Sequence, residues 1–213
     1  MRLTTALQVI AKSVTEAELD DFYGDTITWV VPEWDLEVTP GGEVVTLNGT
    51  VEQVVAQLRE LNPNYDSDFG LDLPSAEDAE LLASLVSEDV ASDGLEKRTD
   101  FSGRNYICRG RWGNASARAI YSGIRYLRGI GGKPRLPAGP SVCSRVSCSY
   151  NAGIQWCNDA RQTKELASFG SIADGAQYID DKCHTGSPGV SGYASGQVFH
   201  ETDWNVIVWN TPC

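Results

Sequence analysis

The sequence predicts an α+β protein: two helices packed on an antiparallel sheet in a split βαβ arrangement, with three disulfides, preceded by a small acidic segment. Three observations predict it. Charge changes sign near Lys97-Arg98: residues 1–98 hold 5 Lys+Arg against 21 Asp+Glu, a net of −16, whereas residues 99–213 hold 12 against 8, a net of +4. All six cysteines (Cys108, Cys143, Cys148, Cys157, Cys183 and Cys213) lie in the second part. Apolar residues there also switch repeatedly between alternating and helical spacing.

The acidic part, 1–98, contains an expected strand at Thr26–Val31, stopped by Pro32. Thr50-Val51-Glu52-Gln53 is a capping box that opens a helix through Leu61, with Val51, Val54, Val55 and Leu58 on one face. Asn62-Pro63 ends it. A second helix is expected from Ser75 to Val86, on the stripe of Ala79, Leu82, Ala83 and Val86. Such a segment either assists folding and masks the basic second part, or serves as a solubilising leader that does not dock.

The second part, 99–213, opens with a short strand at Asn105–Cys108. A helix follows over Ser116–Arg128, with Ala117, Ile120, Tyr121, Ile124 and Leu127 inward and Arg118, Arg125 and Arg128 outward. In Val142–Tyr150, Val142, Val146, Cys148 and Tyr150 alternate with Arg145, Ser147 and Ser149. Asn151-Ala152-Gly153 suits a three-residue hairpin loop, a register that sets Trp156 opposite Cys148 and Ile154 opposite Tyr150. A helix from Ser171 carries Ile172, Ala176, Ile179 and Cys183 on one side. Val198-Phe199 and Trp204–Trp209 form a last hairpin, whose Val206-Ile207-Val208 is apolar on both faces, as a central strand requires.

An even number of cysteines, without Cys-x-x-Cys and without a ligand-spaced pairing to His184 or His200, indicates a three-bridge framework in an oxidising compartment rather than a metal site. Each bridge contributes about 2–4 kcal/mol by restricting the unfolded chain; the spacing leaves the pairing open. The sequons at Asn48 and Asn114 suit a secreted glycoprotein. Met1–Ala11 is a poor signal peptide, because Thr4, Thr5 and Gln8 interrupt its apolar run, so the extracellular assignment rests on the cysteines and the junction. No apolar run is long enough to suggest stable membrane insertion, and the net charge of −12 argues against nucleic-acid binding.

Leu95-Glu96-Lys97-Arg98 resembles the cleavage site of kexin-type processing proteases, whose acidic subsites read two adjacent cations in an exposed strand. Together with Cys108-Arg109-Gly110, Ser147-Cys148-Ser149-Tyr150-Asn151, Trp204-Asn205-Val206-Ile207-Val208 and the βαββαβ order, it makes residues 95–213 resemble the cysteine-rich secreted proteins of fungi. These include killer-toxin-like and effector proteins, several made as cleaved precursors. The resemblance implies a killer-toxin-like sandwich and extracellular action on a host or competitor protein. This chain carries fewer cysteines than such toxins usually do.

For chemistry, His200 beside Glu201 is the strongest catalytic candidate, a small secreted hydrolase or ribonuclease with Arg145 steadying a phosphate. Adjacent strand residues point to opposite faces, however, and the composition suits a turn. No cofactor motif is visible. The twelve-residue linker 129–140 offers Lys133, Arg135 and Leu136 as a cationic and apolar edge for a partner, in the manner of an inhibitor loop. The expectation is therefore a secreted, toxin-like or effector binding protein rather than an enzyme, released by cleavage after Lys97-Arg98, with inhibition of a host enzyme such as a protease as one mode of action.

Overall fold

The computed structural model describes residues 27–71, 98–186 and 191–213. The helix expected at Ser75–Val86 and the side of the junction that includes Lys97 lie outside them. The elements of the front part are β1 (Thr28–Val30), β2 (Glu33–Glu37), β3 (Val44–Asn48), α1 (Val51–Leu61) and the single turn α2 (Tyr65–Asp68). The second part supplies β4 (Tyr106–Cys108), β5 (Ala115–Ser116), α3 (Ala117–Gly129), β6 (Arg135–Leu136), β7 (Val142–Ser149) and β8 (Ala152–Asn158). After these come β9 (Lys164–Glu165), α4 (Gly170–Cys183), β10 (Tyr193–Ala194), β11 (Gly196–His200) and β12 (Trp204–Asn210).

The architecture is mixed α+β, built on a six-stranded sheet in the order β1-β7-β8-β12-β11-β4. From β7 to β4 every neighbour is antiparallel, as expected. The expectation of a wholly antiparallel sheet under two helices is corrected at one edge. There β1 from the acidic part pairs parallel with β7, placing Thr28, Trp29 and Val30 beside Val142, Cys143 and Ser144. A third helix, α1, also packs against β7 and α3. The front part thus adds a strand and a helix to the layers formed by the second.

The local signals explain the helices. Thr50 and Gln53 form the capping box of α1, and Val51, Val54, Val55 and Leu58 are its buried face. In α3 the buried stripe is Ala117, Ala119, Ile120, Gly123, Ile124 and Leu127. Gly175 lets α4 approach the sheet: a Cβ there would lie 2.6 Å from Val206 Cγ2 and 3.1 Å from Phe101 Cζ. One continuous core joins both parts of the chain, with Trp34, Leu36 and Leu58 from the front among Ile124, Leu127, Trp156, Phe169 and Ile172 from the rear. Trp34 stacks on Phe169 with ring centroids 3.8 Å apart, and its indole N–H donates to Gly49 O at 2.8 Å.

The β7–β8 hairpin departs from the expected register. Its loop is the residue pair Tyr150 and Asn151, at φ +50° and +56°, the left-handed pair that a tight two-residue turn demands. The register slips between Arg145 and Ser147, with Val146 as the extra residue of a bulge. Because side chains alternate with period two, one inserted residue reverses the faces beyond it. The two-residue loop sets Ile154 opposite Ser147 rather than Tyr150, and loop and bulge together set Trp156 opposite Ser144 rather than Cys148. Tyr150 itself is 85% exposed.

The three disulfides are Cys108–Cys183, Cys143–Cys157 and Cys148–Cys213. The first ties the edge strand β4 to the end of α4. The second joins directly opposed residues of β7 and β8. The third fastens the C-terminus beside the bulged half of β7. Such a framework suits an oxidising environment. No helix among the described residues is long and apolar enough to cross a membrane.

Candidate functional site

The face of the sheet turned away from the helices is a grid of side chains set by strand register. One row runs Trp29, Cys143, Cys157, Asn205, Phe199, and the next runs Arg145, Gln155, Ile207, Gln197, Ile107. Trp112, from the loop after β4, lies against Trp209 with ring centroids 5.9 Å apart and covers part of this face. The adjacent Arg111 guanidinium sits 4.5 Å over the Trp112 ring. Beside this cover an open cavity of about 240 Å³ remains, lined by Ile27, Arg111, Asp159, Gln197, Phe199 and Asn205 among others.

A continuous chain of hydrogen bonds crosses the cavity. An Arg111 Nη2 hydrogen goes to Gln197 Oε1 at 3.1 Å, and Gln197 Nε2 donates to Asn205 Oδ1 at 3.0 Å. Asn205 Nδ2 then donates to Asp159 Oδ2 at 2.7 Å, while the other Asp159 oxygen accepts the Ser141 backbone N–H at 3.3 Å. Gln197 and Asn205 are 5% and 3% exposed. The two ends determine the sense of the relay. A guanidinium has only donors to offer and a carboxylate only acceptors, so both amides must point the same way. The site is cationic at one end and anionic at the other, with aligned amide dipoles between.

The residues singled out in the sequence are placed elsewhere. His200 and Glu201 do not converge. The His200 imidazole stacks on Trp204 at 4.7 Å and meets the edge of Phe101 at 5.5 Å, and its Nδ1 lies 3.0 Å from Thr202 Oγ1. Burial lowers its pKa from the usual 6.5, with Arg104 and Lys164 acting in the same direction and Glu201 opposing. The Glu201 carboxylate is held by Arg104 at 2.6 Å. Arg145 is on the outer face, away from His200, where it donates to Pro212 O at 2.5 Å.

The linker 129–140 is not a free arm. Its β6 pairs with β9, Asn158 Nδ2 donates to Pro137 O at 2.7 Å, and Gly139 N donates to Ala160 O at 2.7 Å. Leu136 is 2% exposed and belongs to the core, so it is unavailable to a partner; Lys133 and Arg135 remain exposed. The two-residue β6 is too short to show a strand pattern, which is why the linker read as a loop.

Asn48 and Asn114 are both exposed, and Asn114 Oδ1 accepts from Ser195 Oγ at 3.1 Å. Arg98 is exposed as well. No group of three or more metal-ligating side chains occurs among the described residues. A second cavity of about 400 Å³ lies where the front part meets the end of α3, lined by Asp35, Glu37 and Tyr65 among others. Burial, then the nearby Asp66 and Glu37, raise the pKa of the Tyr65 hydroxyl.

The relay was missed in the sequence because its four residues come from four separate segments and none belongs to a local motif. The one available signal was the polar member of an otherwise apolar alternation, Asn205 before Ile207 and Trp209. Comparison of the chain with family models, with curated proteins and with solved structures finds no match, so the site rests on its own chemistry.

Proposed function

We propose that this chain is a secreted binding protein, an effector or toxin-like factor cleaved after Lys97-Arg98, that engages a host or competitor protein through the outer face of its sheet. The killer-toxin-like character of the fold and the role of the acidic part as a pro-domain belong to the same proposal. The observation that carries it is the Arg111–Gln197–Asn205–Asp159 relay on the wall of an open cavity. Its groups suit recognition better than turnover. Arginine keeps its proton throughout the working range, amides do not titrate, and the one carboxylate already accepts two hydrogen bonds.

A target group that fits must present an acceptor to Arg111 and a donor to Asp159, with apolar surface against Phe199 and Ile27. An acidic residue next to a hydrogen-bond donor on a protein loop meets these terms, and blocking a host enzyme such as a protease is the form of action that follows. The test is affinity capture from host or competitor extracts using wild type, Asn205→Ala and Arg111→Ala in parallel. A partner retained by wild type and lost with Asn205→Ala or Arg111→Ala supports the reading. Identical capture by all three proteins removes the outer face as the binding surface.

A further inference from the structure

We infer that cleavage after Arg98 yields a two-chain protein: the front chain stays bound as a non-covalent subunit, and the new Thr99 α-ammonium is received by Asp174. This rests on the processing reading above, but its grounds are structural. None of the three disulfides joins residues 27–71 to residues 98–213, so after a cut nothing covalent connects them. What connects them is an interior. Trp34, Val51, Val54 and Leu58 are each 0% exposed, β1 is a strand of the main sheet, and Trp34 lies flat on Phe169. Interfaces that resemble a domain core cut in half belong to obligate partners rather than to leaders that leave.

The free flank of β7 adds polar specificity. β1 covers β7 only as far as Ser144, and beyond the bulge Glu52, in the first turn of α1, takes over the exposed edge. Its carboxylate accepts from Ser147 Oγ at 2.5 Å and from the Cys148 backbone N–H at 3.1 Å. Loss of the front chain would strand these donors and uncover Phe169.

The position of Thr99 supplies the second half. Its backbone nitrogen is 2.8 Å from Asp174 Oδ2, and Asp174, 11% exposed, holds Arg128 Nη2 at 3.1 Å through its other oxygen. Two residues on, Phe101 is buried against Trp204 and Tyr178, which fixes the approach of the strand. Hydrolysis adds one water across the Arg98–Thr99 amide. Arg98 leaves as a carboxylate, and the Thr99 amine takes up a proton at neutral pH. The existing N–H···O contact then becomes an ammonium–carboxylate bond, the stronger kind, without any movement of the chain.

The experiment uses the full chain, oxidised, digested with a purified kexin-type protease. In parallel, a chain whose residues 95–98 are replaced by the recognition sequence of an unrelated protease is cut there. Size exclusion with intact-mass detection is expected to find both fragments in one peak in either digest. A peak holding the rear fragment alone overturns retention. Failure of the kexin-type protease to cut refutes the processing reading and with it the natural occurrence of the two-chain form, while the second digest still reads retention. For the amine, acylation of Thr99 in the folded, cut protein is expected to be at least about ten-fold slower than in cut Asp174→Asn or in urea-unfolded chain, because one pKa unit of stabilisation lowers the free amine ten-fold. Equal rates overturn the role of Asp174.

Discussion

Replacing Trp34 by Ala should destabilise the entire molecule, although Trp34 lies in the acidic front part. The indole is fully buried, stacked at 3.8 Å on Phe169 of the rear part, and its N–H donates to Gly49 O. Removing a buried Trp side chain costs about 3–5 kcal/mol when the site cannot collapse. Here collapse is opposed by the strand on one side and α4 on the other. Against a typical domain stability of about 5–15 kcal/mol this is a large fraction. With a urea slope of about 2 kcal/mol per molar, the midpoint of the disulfide-intact chain should fall by about 2 M. Trp34→Phe keeps a ring over Phe169 and should lose less than half as much. Fluorescence and circular dichroism, followed together, should report one coincident transition for each protein. A midpoint shift below about 0.5 M for Trp34→Ala, or a front part that melts separately while the rear is unaffected, would refute the shared core.

Both amide atoms of Gln155 are buried without a hydrogen-bond partner among the described residues, so Gln155→Met should gain about 1–2 kcal/mol and raise Tm by a few degrees in a thermal scan. An unchanged or lower Tm would show that the amide is used. Gly175→Ala should lose about 1–2 kcal/mol by forcing a Cβ into Val206, despite the better helix propensity of Ala. The double variant with Val206→Ala should lose less than the two single losses summed, and strict additivity in chemical denaturation would dismiss the contact. His200 makes a pH prediction. Its folded pKa lies below 6.5, so the unfolded chain takes up the proton first, and stability is full above about pH 6.5 and declines as pH falls toward the folded value. His200→Phe keeps an aromatic ring over Trp204 and should flatten that part of the decline; parallel Tm-against-pH curves for the two proteins would contradict this.

Features encoded within a few residues could be read directly. The capping box at Thr50 and the apolar stripes of α1, α3 and α4 are local, since a helix closes its hydrogen bonds within its own turn. Val206-Ile207-Val208 also identified itself as central, because a strand with neighbours on both edges and cover on both faces needs apolar residues on both parities. The β7–β8 register could not be read, because Gly153 drew the loop one residue too far along the chain and the bulge at Val146, which inverts the faces beyond it, carries no distinctive residue. Leu136 resembled an exposed loop residue because the β6–β9 pairing that buries it involves only two residues on each strand. The relay escaped notice for a related reason. Arg111, Asp159, Gln197 and Asn205 become neighbours only when two strands and two loops are assembled.

By itself the sequence determined the mixed α+β class, the order of the longer elements in the second part, the apolar faces of the described helices and the full complement of six bridging cysteines. These follow from short-range periodicity and composition. The tertiary structure alone decided that the acidic part contributes an edge strand and a helix to the basic part, which cysteines pair, and where a polar site opens on the sheet. Those outcomes depend on which apolar faces bury one another across long stretches of chain, and burial of that kind leaves no spacing in the sequence to read.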